Sequence, residues 1–177
     1  MRPVRYYLTT NFPKNLLHTA LKVGEDWNQA FTATVTSAMR IDCEAAADGA
    51  DCASIPGQVA AMGPVFAICR NPVTAEDAPG CGAPGFSPRF GDIRYNFVSW
   101  ISDAHAREAG APLGYGPASA DPLTGEVVSG VANLFGDGLD QLAAQGRDIL
   151  AMMQGDLSET ATHSSGAFAA WLAQSER

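Results

Sequence analysis

The sequence has few charged residues and no long apolar run. Charged side chains make up 17% of the 177 residues, and 19 acidic against 11 basic residues give a formal net charge of −8. Nucleic acids and anionic membrane surfaces attract positive charge, so this balance argues against both as partners. Because no run of 18 apolar residues occurs, we expect no membrane-spanning helix. The first residues lack a charged stretch followed by an apolar one, so we expect no signal peptide in this sequence.

Motifs that define several enzyme classes are also missing. The sequence contains no phosphate loop, dinucleotide fingerprint, Gly-x-Ser-x-Gly motif or internal repeat. Its only histidines are His18, His105 and His163. No two of them are four residues apart and none is followed by Glu, so the His-Glu-x-x-His zinc signature is absent. We expect His18 at the surface, because a working histidine needs a partner that fixes its tautomer and none is close in sequence.

Apolar residues, in contrast, are plentiful enough for a sizeable core. Hydrophobic residues make up 46% of the chain, which is normal for a globular protein. The length predicts one domain, with a second small unit possible. The boundaries we expect are a main unit over residues 1–155, with an insertion over 42–90, and a linker with a short helix over 156–177.

Four cysteines lie within a short part of the chain. Cys43, Cys52, Cys69 and Cys81 allow three disulfide pairings, and the local pairs Cys43–Cys52 and Cys69–Cys81 close two short loops. Two disulfides would indicate an oxidising compartment. A zinc site made of all four thiolates is the alternative, although no Cys-x2-Cys or Cys-x4-Cys pair is present. Reduced cysteines buried as small apolar residues are a third possibility.

Four stretches have the composition of β-strands. Apolar residues alternate with polar ones over 4–8 and 92–100, and apolar runs cover 65–69 and 127–135. We predict that 92–100 is a central strand flanked by 4–8. Asp121-Pro122-Leu123-Thr124-Gly125 predicts a turn, because proline fixes one φ angle and glycine allows a left-handed exit.

Two long helices are predicted by apolar spacing, one over 13–33 and one over 139–153 with Asp137 as its N-cap. The apolar face of the second helix suits a core or an oligomer contact.

Residues 42–63 and 71–89 are predicted to be loops, and 102–111 is predicted to be a solvated connection or a loop beside a substrate. Ser165 is expected to cap a last short helix that contains Phe168, Trp171 and Leu172.

Five segments, in this order, resemble the upper subdomain of metzincin-type zinc metallopeptidases, and most closely the large secreted bacterial members. They are Pro3-Val4-Arg5-Tyr6-Tyr7-Leu8, Glu25-Asp26-Trp27-Asn28-Gln29-Ala30-Phe31, Asp92-Ile93-Arg94-Tyr95-Asn96, Leu113-Gly114-Tyr115-Gly116-Pro117 and Asp121-Pro122-Leu123-Thr124-Gly125-Glu126-Val127. The similarity covers residues 3–155, with a poorly matched middle. It implies an α/β (α+β) fold: a twisted mixed sheet of four or five strands with an antiparallel edge strand, backed by one long helix and followed by further helices.

The resemblance also implies where a substrate would bind. In metzincins the strand that corresponds to Leu113, Gly114, Tyr115 and Gly116 lies at the sheet edge and pairs with an extended peptide. We therefore expect 113–117 at the open edge, antiparallel to 93–100, as a peptide-binding strand. The alternative is a glycine-rich turn in which Tyr115 simply packs.

Two functions follow from the resemblance and from the missing zinc motif. The chain is either part of a secreted zinc-dependent metalloendopeptidase, inactive alone because the ligand-bearing segment is absent, or a non-catalytic peptide-binding or assembly module. Expected partners are a peptide or protein substrate, the remainder of a parent protein, or further copies of the chain. The expected location is secreted, periplasmic or at the cell surface. No cofactor is expected in this chain, and zinc only if a downstream segment supplies ligands.

We predict that the purified chain binds no catalytic zinc. Three scattered histidines do not make a tetrahedral site without carboxylates or cysteines. Metal analysis after dialysis against micromolar zinc should find much less than one equivalent. One bound zinc that is lost when His18, His105 and His163 are replaced together would contradict the prediction.

Overall fold

The computed structural model describes residues 3–46, 51–102 and 112–154. The chain divides into two compact units. The first consists of residues 1–99 and 118–131, and the second of residues 100–117 and 132–177. The predicted helix around Phe168 and Trp171 lies outside the described residues, as does most of the 102–111 segment.

The described part of the chain contains six strands and three α-helices. The strands are β1 (Val4–Leu8), β2 (Phe66–Cys69), β3 (Asn96–Ile101), β4 (Gly114–Tyr115), β5 (Ala118–Ala120) and β6 (Val127–Phe135). The helices are α1 (Leu17–Ala45), α2 (Ile55–Ala61) and α3 (Gly136–Met153). Short 3-10 turns precede α1 and α2.

The strands form one mixed sheet. In the first unit the order is β2-β1-β3-β6, and β1 pairs in parallel with both β2 and β3. β5 pairs antiparallel with the first half of β6. In the second unit β4 pairs antiparallel with the last residues of β6. The predicted mixed α/β fold is therefore confirmed in this general form, with six strands instead of four or five.

β3 is shorter than predicted because a turn replaces its expected start. The carboxylate of Asp92 accepts a hydrogen bond from the Arg94 amide at 3.1 Å, and the Tyr95 amide donates to the Asp92 carbonyl at 3.1 Å. Hydrogen bonds from the Arg94 side chain also lower the pKa of Asp92 to about 2. These local bonds compete with strand pairing, so the strand begins at Asn96. Its predicted position beside β1 is confirmed.

The prediction was wrong about where the first helix ends. α1 continues to Ala45, through the start of the segment predicted as an insertion loop, and α2 forms inside that segment. No proline or glycine interrupts residues 25–45, so nothing stops the helix there. α2 follows a turn in which Asp51 accepts from the Ala53 amide, and it buries Ile55 and Val59 four residues apart.

Both predicted disulfides are present, Cys43–Cys52 and Cys69–Cys81, with Cα–Cα distances of 5.9 and 5.7 Å. No cysteine is free, so the zinc and reduced-thiol alternatives are wrong. The first bond ties the end of α1 to the turn before α2. The second lies in the main core with Tyr7 and Phe97.

Tyr7 is the central residue of that core. Its ring lies within 6.4 Å of the rings of Phe86, Tyr95 and Phe97, and its hydroxyl donates to the Cys81 carbonyl at 2.8 Å. Burial raises the pKa of Tyr7, an effect that nearby Arg5 partly opposes. The Tyr7 hydroxyl therefore has the hydrogen-bond partner that a buried tyrosine hydroxyl needs.

α1 packs closely against β2, which is an outer strand of the sheet. A Cβ atom at Gly24 would lie 3.1 Å from the Ile68 side chain, so glycine permits this approach. Asn28 on the same helix accepts hydrogen bonds from the amides of Val65 and Phe66 at 2.8 and 3.0 Å. At the other end of β2, the Arg70 amide donates to the carboxylate of Asp77 at 3.0 Å. Side chains therefore cap amides along this outer strand, which limits pairing with another chain.

Asn96 connects three strands at the start of β3. Its side-chain amide donates to the Arg5 carbonyl at 3.0 Å, and its side-chain oxygen accepts from the Gly130 amide at 2.8 Å. Arg5 belongs to β1 and Gly130 to β6. One side chain thus satisfies main-chain groups on both neighbours of β3.

We predict that Asn96→Ala destabilises the fold by about 2 kcal/mol, because it leaves two partly buried main-chain groups unpaired. The free energy of unfolding, measured by urea titration, tests this. Gln29→Ala, on the exposed side of α1, is the control and should change stability by less than about 0.5 kcal/mol. Equal stability of the two variants would show that the two hydrogen bonds of the Asn96 side chain do not stabilise the fold.

Candidate functional site

The candidate site is the outer strand of the second unit. β4 is at the end of the strand order and pairs only with β6 among the described residues: Gly114 lies opposite Leu134, and Tyr115 opposite Asn133. The Phe135 amide extends the ladder by donating to the Leu113 carbonyl at 3.0 Å. The edge position predicted for 113–117 is therefore found.

The sequence did not identify the partner of this strand. We expected the strand to run antiparallel to 93–100, and the structure pairs it antiparallel with β6. The reason is the turn at 121–125, which reverses the chain: the Gly125 amide donates to the Asp121 carbonyl at 2.8 Å, and Gly125 has φ +73°. The turn itself was predicted. Its consequence, a hairpin that brings β6 alongside the edge strand, was missed.

Main-chain groups of β4 point in alternate directions. In an antiparallel pair, every second residue directs its N–H and C=O towards the partner strand. Leu113 faces β6 through its carbonyl, so Tyr115 faces β6 as well, whereas Gly114 directs its main-chain groups away from it. The residue that faces outward is a glycine, which allows another backbone to come close.

Gly114 is also required for the pairing with β6. A Cβ atom at this position would overlap the Asn133 carbonyl oxygen. Asn133 is buried, so this oxygen has little freedom to move away. Gly114 therefore brings β4 closer to β6 than a residue with a side chain could.

Apolar side chains lie on the edge strand without being buried. The Tyr115 ring stacks on the Phe135 ring with centroids 5.9 Å apart, yet Tyr115 remains 57% exposed. Leu113 is exposed as well. An aromatic ring held in place but accessible to solvent is a suitable contact for an apolar side chain of a bound peptide.

The described residues of the second unit contain no set of zinc ligands. In the family that the sequence resembles, the zinc ligands lie on the helix after the last strand, but here α3 presents Leu139, Leu142 and Gly146 on its apolar face. Among the described residues, no group of three or more His, Cys, Asp or Glu side chains is arranged to hold a metal. His18 is exposed on α1, and the other two histidines lie outside the described ranges.

The start of α3 also differs from the prediction. Asp137 lies within the first turn of the helix, and Phe135 occupies the N-cap position. Gly136 is buried against Trp100, whose ring a Cβ atom would overlap. The helix start is therefore fixed by this packing and not by a capping side chain.

Comparisons with known proteins give no assignment. No protein-family model matches the chain, and neither the curated proteins nor the solved structures include a significant match. No helix in the described ranges is long and apolar enough to span a membrane.

We predict opposite effects for alanine at two glycines of the second unit. Gly114→Ala should lower the free energy of unfolding by about 1–3 kcal/mol, because the new Cβ atom overlaps the β6 backbone. Gly146→Ala should raise it by up to about 1 kcal/mol, because this helical position has open space and alanine favours helix. Thermal and urea unfolding measure both. A Gly114→Ala variant as stable as the parent would refute the close approach of β4 and β6.

Proposed function

We propose that the chain is the sheet-bearing part of a metzincin-type metalloendopeptidase scaffold, and that the β4 edge binds an extended peptide. The observation that carries this proposal is the outer strand itself. Among the described residues β4 has one partner strand, and the outward main-chain groups of β4 belong to Gly114. A peptide that adds a strand to a sheet edge gains affinity from such main-chain groups and specificity from alternate side chains.

A comparison with the other outer strand supports the choice of β4. Amides of β2 and of its flanking residues are capped by Asn28 and Asp77, while for β4 the described residues include no comparable side-chain cap. Natural sheets protect the edges that must not pair. Judged on the described residues, β4 is therefore the better candidate for a peptide.

Peptide hydrolysis would require groups that this sequence does not contain. The zinc signature is absent, so a metal-activated water and its general base would have to come from another segment. We therefore propose no hydrolytic activity for this chain alone. The two disulfides favour a secreted, periplasmic or cell-surface location, because such bonds persist in oxidising compartments.

The second candidate is a non-catalytic peptide-binding or assembly module on the same scaffold. It is favoured by the apolar residues on the α3 face that corresponds to the zinc helix. Both candidates use the β4 edge, so peptide binding alone does not separate them. A parent reading frame that continues into His-Glu-x-x-His would identify the peptidase.

We predict that Gly116→Val weakens peptide binding and leaves the melting temperature nearly unchanged. Valine places a branched side chain where a peptide backbone must come close, and residue 116 lies outside the β4–β6 pairs. Binding of a labelled library of extended peptides, measured by fluorescence anisotropy, should fall at least about tenfold.

Peptide variants provide the matched control. N-methylation of alternate residues removes the amides that face the sheet in one register and spares those of the other. For a selected peptide, one methylated series should lose binding and the complementary series should retain it. Equal binding of both series, or unchanged binding by Gly116→Val, would rule out strand addition at this edge.

A further inference from the structure

The outer side of α1 carries an apolar face that the described part of the protein leaves uncovered. Val23, Trp27, Phe31, Thr34, Ala38 and Ile41 are all exposed, with Trp27 at 54% and Ile41 at 63%. Spacings of three and four residues place these six residues on one side of the helix. We call this set the α1 outer face.

The fold already uses a different side of α1. Gly24, Asn28 and Cys43 contact β2, the residues before it, or the α2 turn. At 100° per residue, Gly24, Asn28 and Cys43 lie roughly 60°, 100° and 160° around the helix from Trp27. Only Phe31 lies near the boundary, where its ring also contacts Phe66 with centroids 5.5 Å apart. The α1 outer face is therefore additional to the side that holds the helix on the sheet.

No charged side chain belongs to the α1 outer face. The charged pairs of the helix, Lys22–Asp26 and Arg40–Glu44, form within the helix, roughly 100–140° around it from Trp27. Thr34 adds little polarity, because its hydroxyl donates to the Ala30 carbonyl at 2.9 Å. A contiguous apolar surface of this kind on an exposed helix indicates an interaction site.

The order of large and small residues points to the partner. We propose that the α1 outer face packs antiparallel against the same face of a second copy of this chain. In a two-fold antiparallel arrangement centred near residues 32 and 33, Trp27 lies opposite Ala38 of the second copy, and Phe31 opposite Thr34. Each aromatic ring thus meets a small residue, as interdigitated helix packing requires.

A parallel arrangement would not fit as well. It would place Trp27 against Trp27 and Ala38 against Ala38, so that crowded layers alternate with empty ones. Both overpacking and cavities are destabilising. Either arrangement is two-fold and closed, so the packing of large against small residues decides between them.

The available area suits a weak, reversible dimer. Four large side chains that are about half exposed, with the alanine and threonine between them, would bury roughly 500 Å² per copy. The total of about 1,000 Å² lies at the lower limit for a specific interface. The dimer should therefore dissociate on dilution.

Sedimentation velocity of the full chain over a wide concentration range tests the proposal. We expect a monomer–dimer equilibrium that Ala38→Leu weakens at least about tenfold, because leucine fills the space needed by Trp27 of the second copy. Ala33→Leu is the matched control: it makes the same change at an exposed position on the opposite side of α1 and should leave dimerisation unchanged. Nonspecific apolar association would instead be strengthened by both substitutions.

Exchange of the large and small residues tests the orientation. Trp27→Ala should weaken the dimer, and the double variant W27A/A38W should restore it, because each tryptophan again meets an alanine in the antiparallel register. Circular dichroism confirms that each variant is folded, and if either tryptophan variant is not, the Ala38→Leu and Ala33→Leu pair decides alone. A parent chain that stays monomeric at every concentration, a dimer strengthened by Ala38→Leu, or no recovery in a folded double variant would overturn the proposal.

Discussion

The packing of Tyr7 against the Cys69–Cys81 disulfide is the contact on which the first unit depends. β1 lies between β2 and β3, and Tyr7 directs its ring from that strand into the core. Its hydroxyl holds the Cys81 carbonyl, while its ring contacts Phe86 and Tyr95. The long glycine- and proline-rich segment between β2 and β3 is thereby attached to the sheet. A segment of that length without regular structure needs such an anchor in a compact domain.

The sequence was informative where one pattern determined one element. The alternation of apolar and polar residues predicted β1, and a run of apolar residues predicted β6. The local cysteine pairing was correct because each pair closes a short loop. The errors came from interactions that are visible only in three dimensions. The end of α1 was misplaced because residues 42–63 were read as a loop, although the first glycine or proline after Gly24 is Gly49. β3 was predicted too long because the Asp92 turn mimics the alternation of a strand.

The candidate site was predicted in position but not in pairing. Two glycines around Tyr115 suggested an edge, and the structure places that segment at one. The alternation of main-chain directions, which makes Gly114 the outward residue, depends on the register with β6 and could not be obtained from composition. The close approach to Asn133 likewise depends on that register. Peptide binding at this edge stays a proposal that rests on these geometric facts.

The placement of the disulfides has a consequence for how the chain matures during synthesis. Both bonds join cysteines that precede β3, and their partners are separated by only 9 and 12 positions. Ribosomes deliver the N-terminal part of a chain first, and domains begin to fold as they emerge. Both covalent links can therefore form while β6 has yet to be made. No cysteine follows Cys81 in this sequence, so β6 can join a segment that is already cross-linked.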